Sequence, residues 1–314
     1  MKRIKLGVSA CLLGQKVRYD GGHKHDPFVA GILGPHVEWV SVCPEVEYGL
    51  AIPREPMRLA GDPSTPRLIT IRTGIDHRSG MLDWADKRLT ALEKEKLCGF
   101  IFKSKSPSSG MQGVKVYSES GTPSRTGIGI FAGAFMRRFP LLPTEDEGRL
   151  GDPKLRENFV ERIFVFKRWL EFCEERVSAK GLIDFHSAHK LLILAHSPKH
   201  YAISGKLVAG LKGKAREVRD IYVRTLMDGL RLIATAKKNT NVLHHIMGYF
   251  KKVLSTDEKQ ELLEVIGNYH EGLTPLIVPV TLLNHYVRKY NEPYLRSQYY
   301  LNPHPLELML RNHV

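Results

Sequence analysis

Short apolar runs separated by glycine- and proline-rich turns occupy the first half of the chain. Ile4–Ser9, Val37–Val42 and the segment 68–71 have the length and composition of strands, and 99–103 is a shorter candidate. Between the last two, the segment 74–96 has apolar residues at helical spacing in its later part. Strands that alternate with helical stretches predict a Rossmann-like α/β domain with a largely parallel sheet.

The pattern changes after a proline-flanked acidic stretch at 139–148, which predicts a linker. Beyond it, apolar residues such as Phe159 and Ile163 recur at steps of three and four. Further stretches of helical period cover 186–210, 214–236, 239–254 and 256–271. We therefore predict two domains, residues 1–150 and residues 151–314, of which the second is all-α.

The composition fits a folded protein. The 314 residues are 42% hydrophobic and 25% charged, which excludes wholesale disorder. No apolar run reaches the ~20 residues of a membrane helix, and the start lacks an apolar stretch of signal-peptide length. Four cysteines are too few for a disulfide scaffold in a chain of this size. We expect a cytoplasmic protein in which the cysteines are thiols, metal ligands or nucleophiles.

The chain is strongly basic, with a formal net charge of +14. Residues 1–150 hold 22 basic and 16 acidic side chains, and the remainder holds 25 and 17, so both halves share the excess. A globally basic surface attracts polyanions, and nucleic acid is the partner that this charge favours. The alternative is that the charge serves only solubility.

Two cysteines and a serine-rich turn each follow a predicted strand. Cys11 and Cys43 come just after the first two strands, and the turn 106–110 comes after the run 99–103. Ligands of parallel α/β sheets bind beyond the carboxyl ends of the strands, so we expect these three segments to converge on one site. Cys98, in contrast, precedes its strand.

The residue types near these cysteines suggest metal or polar-ligand chemistry. The chain has no C-x-x-C pair, but widely spaced cysteines can ligate an iron–sulfur cluster. Glu45, two residues after Cys43, has the chemistry to activate water near a metal, or is a solvated turn acid. The charged turns 18–22 and 53–56 are substrate loops or plain loops. The segment 103–110 offers hydroxyls and cations to a polar or anionic ligand.

Basic residues recur every seven positions in the second half. They are Arg224, Arg231, Lys238, His245 and Lys252. On one continuous helix they would share a face suited to tracking phosphates, and the alternative is an ordinary solvated face. Four histidines also cluster upstream, at positions 186, 189, 196 and 200. RNA contacts or structural capping are better readings of them than a zinc site, which would need a defined ligand set.

Several motifs together resemble a known family. The segments 8–14, 17–22 and 43–46 and the pattern Lys103-x-x-Ser106-Pro107-Ser108-x-Gly110 resemble the 2-thiouracil desulfidase domain. The second half resembles the partner domain that is fused to it in bacterial tRNA 4-thiouridine desulfidases. The segments that carry this second resemblance are 189–192, 195–201, 245–250 and 283–288.

The resemblance implies a [4Fe–4S] cluster held by three cysteines, with the fourth iron open to the sulfur of the substrate. Cys11 and Cys43 match two of the ligands, and Ser109 stands where the family usually has the third cysteine. Ser109 or Cys98 is therefore the candidate third ligand. Glu45 matches the catalytic acid/base. Residues assigned from the resemblance to catalysis or substrate binding are also Ser106, Arg18, Tyr19, Asp20, Lys103, Ser104 and Ser108.

The implied reaction is the non-redox replacement of sulfur by oxygen in a thiolated uridine of tRNA, 4-thiouridine being the expected base. An activated water would attack the ring carbon of a thiocarbonyl polarised by the open iron. One alternative is an RNA-binding or sensor protein that holds a cluster without catalysis. Another is a hydrolase or transferase with a cysteine nucleophile, for which His23 or His25 would be the base.

Overall fold

The computed structural model describes residues 3–175, 177–211 and 215–313. They fall into two compact units that divide after Asp152. The first unit is an α/β domain built on a parallel sheet and the second is helical, which confirms the predicted fold class. Within the described ranges, no helix is both long and apolar enough to cross a membrane.

A four-stranded parallel sheet forms the centre of the first unit. The elements are β1 (Ile4–Ser9), β2 (Val37–Val42), α1 (Pro44–Glu47), β3 (Met57–Ala60), β4 (Arg67–Thr70), α2 (Arg78–Glu93), β5 (Phe100–Phe102), β6 (Val114–Tyr117), β7 (Pro123–Gly127), α3 (Ile130–Arg138) and β8 (Thr144–Asp146). The strand order of the central sheet is β2-β1-β5-β8. Ser9 pairs with Val42 at the carboxyl ends of β1 and β2, so the residues that follow both strands emerge at one edge.

A second sheet in the same unit has the mixed order β4-β3-β6-β7. The run 68–71 does form a strand, but it belongs here and not to the parallel sheet. It pairs antiparallel with β3, which places Leu68 opposite Leu59. Both side chains are fully buried in a cluster with Met81 and Val114. An apolar run shows that a strand is buried but not which sheet buries it.

The predicted linker at 139–148 is wrong, because it contains the edge strand β8 of the parallel sheet. Its acidic residues are held by partners and are not solvated. Glu145 is buried with Arg149 Nε 2.6 Å from Oε1, and Asp146 accepts the Arg149 amide at 2.9 Å. The Glu147 carboxylate forms an ion pair with the Lys103 ammonium. Pairing each carboxylate allows a polar segment to continue a sheet.

Aromatic rings pack β5 against α3 beneath the sheet. Phe100 and Phe135 have ring centroids 4.6 Å apart, and Phe102 and Phe131 complete a fully buried cluster. Gly7 of β1 must lack a side chain, because a Cβ there would collide with the Phe100 ring. Burial of each phenyl group stabilises the unit by about 1.5–3 kcal/mol, which anchors β5 beside β1.

Helices make up the second unit. They are α4 (Pro153–Glu174), α5 (Ala179–His196), α6 (Pro198–Ala209), α7 (Ala215–Leu230), α8 (Ala236–Met247), α9 (Thr256–His270), α10 (Ile277–Lys289) and α11 (Pro293–Arg296). The stretch 186–210 is split, because Ser197 caps α6 and Pro198 is its first residue. The stretch 214–236 is interrupted after Leu230, and its residue 214 lies outside the described residues. The stretch 239–254 leaves the α-helix at Met247.

The five basic residues that recur every seven positions, here called the basic stripe, do not lie on one helix. Arg224 is in α7, Arg231 follows the end of that helix, Lys238 and His245 are in α8, and Lys252 follows α8. The predicted common face required a continuous helix, so that part of the prediction is wrong. Lys238 also has a local role, since its Nζ donates to the carbonyls of His196 at 2.8 Å and Ile233 at 3.1 Å.

Candidate functional site

A cavity of about 430 Å³ lies at the carboxyl ends of β1, β2 and β5. Cys11, Cys43, Glu45 and Ser109 all line it. The three segments predicted to converge therefore do so. Among the residues that the structure describes, no group of three or more His, Cys, Asp and Glu side chains is arranged to hold a metal ion. Two thiols, the carboxylates of Glu45 and Glu55, and serine hydroxyls are among the groups that line the cavity.

Cys11 is placed by a short 3-10 turn, Ala10–Leu13, that directly follows β1. Gly14 ends the turn with a φ of +87°, a conformation that favours glycine. The turn is tied to the next loop by the Lys24 amide, which donates to the Cys11 carbonyl at 2.9 Å. Burial raises the pKa of the Cys11 thiol to about 11, and the charge of Lys103 opposes that rise.

Cys43 is the residue that precedes α1. Pro44 starts this helix and Glu47 reaches back, so that its Oε1 accepts the Cys43 amide at 3.0 Å. The Cys43 thiol lies 3.6 Å from Glu45 Oε2. Burial and the neighbouring Glu45 charge raise the pKa of this thiol to about 12.

Glu45 is held from two sides with its carboxylate at the cavity. Ser108 Oγ donates to Oε1 at 2.5 Å, and Arg54 Nη2 lies 3.7 Å from Oε2. Arg54 is itself fixed by donating from Nη1 to the Val17 carbonyl at 3.0 Å. Only 14% of the Glu45 side chain is exposed. A carboxylate oriented in this way can accept a proton from a bound water.

The serine-rich turn after β5 is organised by its own first residue and by α3. Ser106 Oγ accepts the amides of Ser108 at 3.3 Å and Ser109 at 3.1 Å. The first amides of α3 donate to carbonyls of the same turn, Phe131 to Ser108 at 2.9 Å among them. Gly110 closes the turn where a Cβ would collide with backbone and with Val114. Ser106 thus positions the turn that presents Ser108 and Ser109.

Lys103 and Ser104 line the cavity, but both are bound to Glu147. Lys103 Nζ lies 2.5 Å from Glu147 Oε1, and Ser104 donates to the same carboxylate from its amide at 2.6 Å and its hydroxyl at 2.8 Å. This arrangement neutralises the Lys103 charge. The pair fixes the loop after β5 to the segment after β8.

The predicted substrate loop reaches the cavity only in part. Arg18 and Tyr19 line it, with Arg18 Cζ 5.4 Å from the Tyr19 ring centroid. Asp20 does not line it, because its carboxylate accepts the Gly22 amide at 3.0 Å and pairs with Arg18 at 3.4 Å. Ser108 likewise faces Glu45 and is not among the lining residues.

Cys98 lies at the wrong end of the sheet to join this site. Its amide donates to the Lys5 carbonyl at 2.8 Å, beside the start of β1, whereas the cavity adjoins Ser9 at the other end. Four residues of strand separate the two positions, roughly 13 Å at ~3.3 Å per residue. Cys98 is therefore rejected as the third ligand, and Ser109 is the third candidate donor that reaches the cavity.

Arg54 is the main site residue absent from the predicted set. It comes from the charged turn between Pro53 and Pro56, which the sequence left open between a substrate loop and a plain loop. Glu55 and Met57 from the same segment also line the cavity. A cation flanked by prolines was the available signal, but nothing local showed that its partner was Glu45.

The alternative of a cysteine nucleophile receives no support from the geometry. His23 and His25 are exposed and neither lines the cavity. The His25 amide instead donates to His23 Nδ1 at 3.2 Å. The two predicted bases therefore lie outside the cavity that holds the thiols.

The four histidines of the second unit have structural partners. His186 Nδ1 lies 3.1 Å from Tyr222 Oη, and His189 Nδ1 donates to the Phe185 carbonyl at 2.7 Å. His196 is bound between Glu161 and the Leu232 carbonyl, and His200 Nδ1 meets Ser197 Oγ at 2.8 Å. These contacts are structural, and the Ser197–His200 pair lies at the helix cap of α6.

Comparisons with known proteins match both halves of the chain. Residues 6–147 match the family model described as 2-thiouracil desulfurase, and residues 190–305 match a protein family of unknown function, DUF1722. The uncharacterized protein YbgA of Escherichia coli (strain K12) is 31% identical over 154 residues, which are 48% of this chain and 90% of YbgA. A solved structure of a [4Fe-4S]-dependent thiouracil desulfidase, TudS, is 31% identical over 48% of this chain and 94% of that chain, with a TM-score of 0.38.

Each relative accounts for about half of this chain and nearly all of its own length. The desulfurase model covers the strands and turns that build the cavity. The first half of the chain is thus similar to the 2-thiouracil desulfurase family, and the second half to a domain family of unknown function.

Proposed function

We propose that the protein is a desulfidase of thiolated uracil that acts on 4-thiouridine in tRNA and replaces sulfur by oxygen without net redox change. The observation that carries the proposal is the meeting of Cys11, Cys43, Ser109 and Glu45 in one cavity. It joins candidate iron ligands to a carboxylate that can activate water. The family match of residues 6–147 supports the substrate class.

The donors in the cavity fit an iron–sulfur cluster bound by two thiolates and one hydroxyl oxygen. Cys11 and Cys43 supply the sulfur ligands that such clusters require. Ser109 is 4% exposed and lines the same cavity, so it would bind as the third ligand. When bound, the cluster would supply a Lewis acid for the thiocarbonyl sulfur.

Glu45 would perform the proton transfer. Its carboxylate accepts a proton from water as the water oxygen attacks the ring carbon that bears sulfur. The C–S bond then breaks, and water and the thiocarbonyl become a carbonyl and hydrogen sulfide. Ser108 and Arg54 hold the carboxylate in place for this step.

Residues at the rim would bind the base. Tyr19 is 44% exposed and lines the cavity beside Arg18, so its ring can pack against a pyrimidine. Ser104 and Lys103 would shape the opposite wall through Glu147. In tRNA the thiouridine must leave its stack to enter such a cavity.

The test is anaerobic desulfurisation by protein reconstituted with iron and sulfide. Free 2-thiouracil and bulk bacterial tRNA are the two substrates, and each thionucleoside is quantified after digestion. We expect loss of 4-thiouridine only with cluster-loaded protein. Bound iron and bound tRNA with no sulfur loss would contradict the proposal and favour the sensor alternative.

Variants of the sulfur ligands sharpen this test. Cys43→Ala should lose iron, whereas Cys98→Ala, the matched control outside the cavity, should keep it. Ser109→Cys should keep more iron per chain after exposure to air than the native protein, because a thiolate replaces a hydroxyl donor. Equal iron loss in Cys43→Ala and Cys98→Ala would contradict the assigned ligands.

A further inference from the structure

The second unit contains a pair of stacked tyrosines, one exposed and one half-buried. Tyr249 follows α8 and Tyr294 lies in α11, and their ring centroids are 5.2 Å apart with planes 17° from parallel. Tyr249 remains 46% exposed, although its neighbour Phe250 is buried in the core. Lys190 Nζ lies 4.9 Å from the Tyr294 ring centroid. We call Tyr249, Tyr294 and Lys190 the tyrosine platform.

A basic groove adjoins the platform at Lys190. It lies between α5 and α6, has a volume of about 550 Å³ and is lined by Lys190, Lys206 and Tyr201, together with His186, Ser187 and small or apolar residues. Among the residues that the structure describes, no acidic side chain lines it. Burial raises the pKa of the Tyr249 hydroxyl. The nearby charge of Glu292 also raises this pKa, and the charge of Lys190 lowers it. The groove therefore favours an anionic chain next to an exposed aromatic ring.

We propose that the tyrosine platform and this groove bind unpaired nucleotides of RNA, with a base stacked on Tyr249 and phosphates held by Lys190 and Lys206. Stacking on an aromatic ring is tolerant of base identity and requires bases that are free of a duplex. Lysines beside such a ring neutralise the backbone. The inference rests on the proposed function for the identity of the RNA, but binding needs neither a cluster nor a thiolated base.

The tyrosine platform and its groove form a different surface from the basic stripe predicted from the sequence, whose five residues recur every seven positions. The stripe needed one continuous helix, which the structure divides between α7 and α8. The platform is instead assembled from α5, the turn after α8 and α11. Residues that are far apart in sequence meet there, so no local spacing could indicate it.

The experiment measures binding of fluorescently labelled, unmodified RNA to the full-length chain without cluster. One RNA is a hairpin with a large single-stranded loop, and the other is a duplex of equal length. Tyr249→Ala and Tyr249→Leu should each weaken binding of the loop RNA about tenfold and leave duplex binding unchanged. Tyr249→Phe, the matched control, should bind within about twofold of the native protein, because the ring is retained.

A charge arm accompanies the tyrosine series. Lys190→Gln should weaken binding and reduce the salt dependence by roughly one ion, at a slope of ~0.7 per phosphate contact. Lys237→Gln removes an exposed lysine of α8 that lines neither feature and should change affinity less than twofold. Equal effects of the two substitutions would contradict a specific groove.

Native-like RNA binding by Tyr249→Leu would overturn the proposal, because an apolar side chain without an aromatic ring would then be sufficient. Such a surface would fit docking of a protein and not stacking of a base. Unchanged binding by Tyr249→Ala would also overturn the proposal. Turnover of free 2-thiouracil separates this inference from the proposed function. Tyr249→Ala should retain that turnover, and a native protein that binds loop RNA through Tyr249 but desulfurises nothing would refute the desulfidase alone.

Discussion

Two carboxylates, the buried Glu161 of the second unit and the half-buried Glu45 of the first, show how similar groups serve different roles. Glu161 in α4 has both oxygens occupied, with Arg311 Nη2 2.8 Å from Oε1 and His196 Nε2 2.9 Å from Oε2. Glu45 has one short hydrogen bond, from Ser108, and a guanidinium at 3.7 Å from its other oxygen. That second oxygen lies beside the Cys43 thiol at the cavity.

The difference lies in how completely each charge is compensated. Burial alone would raise the pKa of Glu161, but the hydrogen bond from His196 and the charge of Arg311 lower it below the ordinary value. Its neighbour Glu157 has its pKa raised, because it is buried beside that charge. A fully paired carboxylate holds a fold together, whereas a partly paired one at a cavity is available to react.

The largest effects should come from removing each carboxylate in turn. Glu161→Gln should lower the free energy of unfolding by about 3–5 kcal/mol, because it removes the buried carboxylate that accepts from both Arg311 and His196. Glu45→Gln should leave that free energy unchanged or slightly raised and should reduce desulfidase turnover by about 10²–10⁴-fold. Urea unfolding followed by circular dichroism and a sulfide-release assay give the two readouts.

A Glu161→Gln protein with native stability would contradict this comparison, because the contacts of Glu161 with Arg311 and His196 would then not stabilise the fold. Equal destabilisation by the two substitutions would also contradict it. Each variant is the control for the other, because both replace a carboxylate by an amide of the same shape.

The stability of the second unit should fall with acid. Burial lowers the pKa of His189 to about 3 and that of His186 to about 4, and the charges of Arg168 and Lys190 act in the same direction. Below about pH 6.5, these histidines therefore bind protons in the unfolded chain but not in the folded chain. Each histidine should remove about 1.4 kcal/mol per pH unit from there down to its folded pKa.

Urea unfolding at pH 7 and pH 5 measures this loss. His186→Gln should show a shallower decline than the native protein, because one of the buried histidines that contribute to the decline no longer titrates. An identical slope in both proteins would mean that burial of His186 does not control its protonation. The Tyr222 hydroxyl, which faces His186, should remain a partner for the glutamine amide.

Arg54 should have the smallest effect of the three. Arg54→Lys loses the fork that reaches both the Val17 carbonyl and Glu45, so turnover should fall roughly tenfold, about 1.4 kcal/mol in the barrier. KM for free 2-thiouracil should stay constant, because Arg54 acts through Glu45. Arg125→Lys, on the exposed strand β7, is the control. A rise in KM with constant kcat would instead make Arg54 a residue that binds substrate.

The sequence predicted the parallel sheet and the convergence of Cys11 and Cys43 because both depend on local signals. Each cysteine ends a short apolar strand, and parallel strands share their carboxyl edge. The mixed sheet and β8 were missed because they depend on pairing between distant segments. The acidic run 145–147 resembles a linker until Arg149 and Lys103 are seen to pair with its carboxylates.

The same limit explains the residues at the site. Arg54 and Ser108 act through Glu45 from elsewhere in the chain, at sequence separations that no motif spacing reports. Asp20 was predicted to bind substrate, but its carboxylate accepts a hydrogen bond from the Gly22 amide within the same turn. Cys98 was left open although it precedes its predicted strand, because the position of that short strand had to be seen.

The most direct measurement follows cluster absorbance and sulfide release together in anaerobically reconstituted native protein and in Glu45→Gln, with bulk tRNA as substrate. We expect equal absorbance in the two proteins, loss of 4-thiouridine with the native protein, and almost none with the variant. Equal sulfide release by both would contradict the assignment of water activation to Glu45. Loss of absorbance in the variant would show that Glu45 holds the cluster and does not only act on the substrate.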